Sequence, residues 1–354
     1  MAEKGPRLRD ALTVLSADGL KRGVRDERAY RSHLNENPYP PLPGVLATSR
    51  SAVGRLNRYP DDLCVDLMGA IAEHHGVTTD RVAVGAGGTA MVQQLLLAAV
   101  GPGNEVVYSW PSFERYPILS RIAGATVRPV PLSGFDQDLS AMAGAVTEKT
   151  SLIFVGNPND PTGTALQRDR LYAFLERIPK DVLVVLDEAY RDFADPDTAN
   201  GIEVSHDWPN LAVVRTFSHA YGLAGLRVGF TIAHPSVALA ARKTALPLGV
   251  TTVAQEAAIA SLGVHDALFV RVRSLIDERD RLRDILLDQG WTVPSSQASF
   301  LWLPLGRKCS AFVQECIAHG VIVREFPDHG VRITVREREA NDLVAFIASR
   351  FSPR

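Results

Sequence analysis

Between about residues 45 and 250, short runs of apolar residues alternate with stretches whose apolar positions recur at helical spacing. The runs at Val82–Val84, Glu105–Tyr108, Thr126–Val130, Ser151–Val155, Val182–Leu186, Leu211–Arg215 and Arg227–Ile232 predict strands. Ala90–Val100 and Arg168–Ile178 predict two of the helices between them. The run "VLVVLD" at 182–187 is almost unbroken, as a strand covered on both faces must be. Such alternation predicts an α/β fold with a mostly parallel sheet under helices. Past residue 251 the pattern changes to helices at Val253–Leu262 and Ala267–Gln289, strands at Phe300–Leu303, Val321–Arg324 and Gly330–Val335, and a last helix at Glu339–Arg350. The chain therefore divides into an N-terminal segment (1–45), a large α/β unit (46–252) and a smaller α+β unit (253–354), the first packing on the last. The first 30 residues are charged, lack a strand period and predict an arm or short helix.

Composition narrows the function classes. At 354 residues the chain is long for one core, which agrees with two units. The net charge is −2 and no basic stripe appears, which argues against a nucleic-acid partner. No apolar run is long enough to span a membrane, and charges at Arg7, Arg9, Asp10 and Asp18 interrupt any signal-peptide core. Cys64, Cys309 and Cys316 fit neither a disulfide framework nor a metal-site spacing, so the expected compartment is the reducing cytoplasm. The histidines give no metal site either; His33 is expected near the site entrance, His74 and His75 on the surface, and His329 in a loop.

Four stretches carry candidate chemistry. "VAVGAGGTA" (82–90) runs from a strand through glycines into a helix, where Gly88 and Thr89 could offer N–H groups to a phosphate. A ligand-free glycine turn fits the same residues. "FVGNPNDPTGT" (154–164) puts Asn157 directly after a buried strand, in what is otherwise a proline-rich turn. "VLVVLDEAYRDF" puts Asp187 at the carboxyl end of an apolar strand, the edge where open α/β sheets bind ligands, with Tyr190 three residues on. A carboxylate there needs a cation or several donors, and a protonated pyridine nitrogen would serve; helix capping is the plainer role. "VVRTFSHAYGLAGLRVGF" (213–230) offers Ser218 and Arg227 as phosphate ligands.

Taken in order, Asn-Pro-x-x-Pro-Thr-Gly, Asp-Glu-Ala-Tyr and Ser-x-Ala-Tyr-Gly-Leu-Ala-Gly-Leu-Arg-x-Gly resemble the histidinol-phosphate and aromatic (phenylalanine) branch of the fold-type-I aminotransferases. The similarity runs from "LNENPYPPLP" at Leu34 to "GVRITV" at Val335. It implies a large-domain, small-domain α/β enzyme that uses pyridoxal phosphate (PLP) or its aminated form (PMP) on an amino acid or 2-oxo acid. It implies that Asn157 and Tyr190 bond the cofactor's phenolic oxygen, that Asp187 pairs with the ring nitrogen, and that Phe113 stacks on the ring. Gly88, Thr89, Ser218 and Arg227 would hold the phosphate. Tyr59 would reach a neighbouring subunit's phosphate, which implies a homodimer with shared sites. Arg332, together with Arg324, Asn35 and Ser299, would meet the substrate.

One position departs from that pattern. The family carries its Schiff-base lysine directly after the serine of the last motif, and here that residue is His219. Imidazole has no primary amine, and Lys4, Lys21, Lys149, Lys180, Lys243 and Lys308 offer no clear substitute. Sugar 3-dehydratases that resemble aminotransferases use histidine at this place. Lesser departures are Gly88-Thr89-Ala90 in the phosphate loop, Ser299 for an asparagine, and Asp160 within "NPNDPTG". The expected activity is thus an aminotransferase-like reaction with noncovalent PLP or PMP and His219 as general acid and base. The alternatives are a cofactor-independent scaffold that isomerises or condenses amines with carbonyls, with His219 as base, and an inactive or engineered lysine-less transaminase.

Overall fold

A computed structural model of the chain describes residues 29–351; the arm or short helix expected before them lies outside that range. Its strands are β1 (Tyr30–Ser32), β2 (Val82–Gly85), β3 (Glu105–Trp110), β4 (Thr126–Pro131), β5 (Thr150–Gly156), β6 (Leu183–Asp187), β7 (Leu211–Thr216), β8 (Gly229–Ile232), β9 (Phe300–Leu303), β10 (Val321–Phe326) and β11 (Gly330–Thr334). Seven form one sheet in the order β2-β8-β7-β6-β5-β3-β4. Only β8 runs against its neighbours β7 and β2; the other pairs are parallel. The expected mostly parallel sheet is therefore mixed, with one reversed strand. That strand starts at Gly229 rather than Arg227, because Arg227 takes a left-handed backbone (φ 56°) that closes a short helical turn.

The unbroken apolar runs have a direct cause. Along β5, Ile153 and Val155 enter one core while Leu152 and Phe154 enter the core on the other face. β6 does the same, with Val184 and Leu186 against Leu183 and Val185. Successive side chains point to opposite faces, and both faces are covered. Each aliphatic chain so buried contributes roughly 1.5–3 kcal/mol of transfer free energy.

The second sheet has the order β1-β10-β11-β9. β1 pairs in parallel with β10, Tyr30 opposite Val321, so the beginning of the described chain is built into the small sheet near its end. The helix His265–Asp288 joins the two units. Its Leu268, Val272 and Leu275 pack in the large core, and Leu282 and Leu286 in the small one. Between these sets sits buried Arg279, whose Nη1 donates to the carbonyls of Phe193 (3.3 Å) and Ala298 (3.2 Å). This arrangement sets the carboxyl ends of β2, β3, β5, β6 and β7 opposite β10, β11 and the segment after β1, with a cleft between.

Candidate active site

A cavity of about 420 Å³ fills that cleft. Its floor is the carboxyl edge of the large sheet, where ligands of open α/β folds bind. Of the residues expected at the site, Gly88, Thr89, Phe113, Asp187, Tyr190, Ser218, His219, Arg227, Arg324, Arg332 and Asn35 all reach its wall.

One end suits an anion. The helix Gly88–Ala99 begins after Gly87 (φ 87°) with no side-chain cap, which leaves first-turn N–H groups unclaimed. Thr216 Oγ1 donates to Ser218 Oγ (2.9 Å), and Arg227 Nη1 reaches the same Ser218 oxygen at 3.3 Å. Arg227 otherwise donates to the Ala224 carbonyl (2.8 Å). A Cβ on Gly87 would lie 2.5 Å from Arg227 Nη2, so the cradle needs glycine there for space as well as for its positive φ. Replacing Gly87 with alanine is expected to lower stability by about 1–2 kcal/mol through left-handed strain. It should also push Arg227 aside and weaken phosphate binding about tenfold. Thermal melting and calorimetric titration with inorganic phosphate would check both; unchanged phosphate affinity would remove Gly87 from the cradle.

The sheet edge carries the acidic group. Asp187 lies at the end of β6, accepting from Tyr116 Oη (2.8 Å) and from the Ala189 N–H (3.1 Å). No arginine or lysine among the described residues pairs with it, and burial pushes its carboxyl up to about 6, against those two hydrogen bonds. A carboxylate shielded from water, facing a cavity and lacking a cation, suits a protonated ring nitrogen.

His219 follows β7 and stacks on Tyr190, ring centroids 4.4 Å apart. Its Nδ1 lies 2.8 Å from the Asn35 carbonyl. A carbonyl can only accept, so Nδ1 carries the proton and Nε2 keeps its lone pair. Burial holds the imidazole down to about 4, a shift that the Asn35 carbonyl and Asp160 only partly oppose. At neutral pH it is an uncharged base. No lysine lines the cavity among the described residues.

Several expected roles change. Asn157 does not reach the cavity: its Oδ1 accepts from the Leu166 N–H (2.8 Å) and its Nδ2 donates to the Ala199 carbonyl (3.2 Å). Asp160, three residues on, fills the place beside Tyr190 instead, with Tyr190 Oη 3.3 Å from its Oδ2. Asn35 is a hub rather than a free ligand. It is 2% exposed, its Nδ2 donates to Tyr190 Oη (2.7 Å), and its Oδ1 accepts from Thr334 Oγ1 (2.9 Å). Ser299 is buried off the cavity, its hydroxyl without a partner among the described residues. Arg324 and Arg332 line the cavity but are paired within the chain, with Glu114 and Asp160 respectively. Tyr59 stands 86% exposed and outside this cavity. Thr216, Tyr116 and Glu114 were not singled out in the sequence. Thr216 had a signal, since it is the last residue of an apolar strand and sits two residues before Ser218.

A sheet edge with a helix N-terminal anion cradle, an unpaired buried carboxylate and a facing small domain is the site architecture of fold-type-I PLP enzymes. The comparisons agree: a model of the family described as aminotransferase class I and II matches residues 33–347, so the chain belongs to that PLP-dependent enzyme family. It is 51% identical to an aromatic amino acid aminotransferase of Streptomyces avermitilis, over 99% of both chains. It is 52% identical to the protein of the same name in Streptomyces coelicolor, again over 99% of both. Among solved structures, the histidinol-phosphate aminotransferase of Sinorhizobium meliloti in complex with PLP is similar with a TM-score of 0.90, at 29% identity and 98% coverage of each chain.

Proposed function

We propose that this chain acts on an aromatic amino acid or the matching 2-oxo acid with PLP or PMP held noncovalently, and that His219 is its acid and base. The observation that carries the reading is His219 itself: an uncharged imidazole on the cavity wall, its Nδ1 tied to Asn35 so that Nε2 keeps the lone pair, where the family carries an amine. The relatives named for aromatic amino acids support the substrate class.

Gly88, Thr89, Thr216, Ser218 and Arg227 would hold the phosphate, Asp187 the ring nitrogen and Phe113 one ring face. When bound, PLP supplies an electron sink that acidifies the carbon carrying the substrate's amine. The chain's share is to orient and to move protons. Tyr190 buttresses the imidazole face and is itself fixed by Asn35. His219 Nε2 takes a proton from that carbon and returns it, which an imidazole does without being consumed. A homodimer in which Tyr59 completes the neighbouring site belongs to the same reading, as does the division of the chain at about residues 45 and 252. A cytoplasmic location also belongs to it; among the described residues no helix is long and apolar enough to cross a membrane.

The test is to titrate the purified protein with PLP and with PMP, follow absorbance, and then treat with borohydride before unfolding. Expected is saturable binding at micromolar concentration or tighter, with all cofactor released on unfolding. The variant His219→Lys should retain it on the chain. Cofactor fixed to the unaltered protein would sink the noncovalent reading. No binding at millimolar concentration would sink the cofactor altogether and favour a cofactor-free reaction at His219.

A further inference from the structure

The cationic end of the cavity is already occupied by a carboxylate of the chain itself. Arg332, on β11, donates through Nη1 to Asp160 Oδ1 and through Nη2 to the His33 carbonyl (2.8 Å). Its Nε is buried and has no hydrogen-bond partner among the described residues. The guanidinium also lies over the rings of Phe300 (5.4 Å) and Phe326 (6.0 Å), which fixes its plane. So both terminal nitrogens of the guanidinium are already committed within the chain. Asp160 holds the one edge that a second carboxylate can take by simple exchange.

Exchange has a consequence for protons. Asp160 is 7% exposed, and its only cationic partner among the described residues is Arg332. The other groups that face it are Tyr190 and Asp187 from the end of β6, Tyr116 from the helix Arg115–Ala123, and His219 after β7. None of these is a cation at neutral pH: the tyrosines are held protonated by burial, Asp187 is an acid, and His219 is held down to about 4. A buried carboxylate that loses its only cation beside another acid is far more stable neutral. Displacing Asp160 therefore means protonating it.

We infer that Asp160 is an internal competitor for Arg332, and that a ligand carboxylate binds there by exchange with Asp160, which takes up one proton from solvent. The balance is one anion and one proton in, with the Arg332 ion pair kept and its acid changed. Asp160 is then a specificity residue: it disfavours carboxylates at high pH and leaves neutral ligands unaffected. The inference rests on the proposed substrate class for its ligand, but its readout, the proton taken up with the ligand, is separate from cofactor binding.

The probe is 3-phenylpropanoate, an aromatic monocarboxylate with no amine or carbonyl to react. Calorimetry with and without added PLP, in two buffers of different ionisation enthalpy at about pH 8, reads the proton count with both nearby histidines uncharged. The unaltered protein should take up about one proton per ligand, and its affinity should fall about tenfold per pH unit. Asp160→Asn should bind at least about tenfold tighter at that pH, with no proton uptake and no pH slope. Binding by the variant alone also supports exchange. Proton-free binding by the unaltered protein overturns the inference, whatever the variant's folding state, and so does failure of a folded variant to bind at all. If PLP does not bind but the proton is still taken up, the cofactor reading falls and this one stands; the reverse result separates them the other way.

Discussion

Replacing His219 with glutamine is expected to lower turnover of the aromatic substrate by about 10²–10⁴-fold, the usual worth of a positioned acid–base group. Cofactor affinity should change less than about threefold, because nothing in the proposed role has the imidazole hold the phosphate or the ring nitrogen. Glutamine keeps polarity and length but cannot take a proton at neutral pH. The pH profile separates a base from a bystander. Burial holds His219 at about 4 against an ordinary 6.5, so in the unaltered enzyme the loss of activity on acidification should begin well below pH 6.5. The same shift has a stability side. The unfolded chain takes up the proton first, so stability is full above pH 6.5 and declines as pH falls toward 4. In His219→Gln that part of the decline should vanish from the melting temperature. Full turnover in the glutamine variant would leave the imidazole a filler.

The second large effect belongs to Asp187. Asp187→Asn should weaken PLP binding by about 10²-fold or more, since removing one member of a shielded charge pair costs about 2–5 kcal/mol. Asparagine preserves the shape and can still accept from Tyr116, so the loss reads the charge. In the unaltered protein, affinity for PLP should be greatest above about pH 6 and should fall as Asp187 is protonated below it. The sign for folding is opposite. Without a cationic ligand, the raised carboxyl makes the folded state the better proton acceptor, and that advantage is lost as pH rises through about 6. Absorbance titrations at several pH values would check both statements. Equal affinity for the asparagine variant would mean that Asp187 serves the helix-side backbone and no ligand.

The chain announced the large sheet clearly because its strands are covered on both faces, and a continuous apolar run has few other uses. Asp187, Ser218 and His219 were legible for the same reason: each follows the end of such a run, and strand ends lie at one edge. The turn 157–164 was not legible in that way. Asn157 and Asp160 both sit beside prolines, and nothing in their order says which faces the cavity. What decides it is the backbone of Leu166 and Ala199, which claims the Asn157 amide. Asp160 and Arg332 are 172 residues apart, so their pairing had no local signal. The engagement of Asn35 had no local signal either, since its partners are Tyr190, in the turn after β6, and Thr334, on β11.

The join between the first strand and the late strands of the small sheet governs when this protein becomes competent. Asn35 bonds across 299 residues to Thr334, and the same residue sets the tautomer of His219. The large sheet can form from sequence that emerges early in synthesis, whereas the pairing of β1 with β10 waits until nearly the whole chain is out. The imidazole should therefore acquire its defined proton arrangement as one of the last events of maturation. A ribosome-bound chain that stops before residue 330 would carry the phosphate cradle and His219 but not Thr334, which anchors Asn35, and the slow protection of the Asn35 amide in pulse-labelled hydrogen exchange would time the gap.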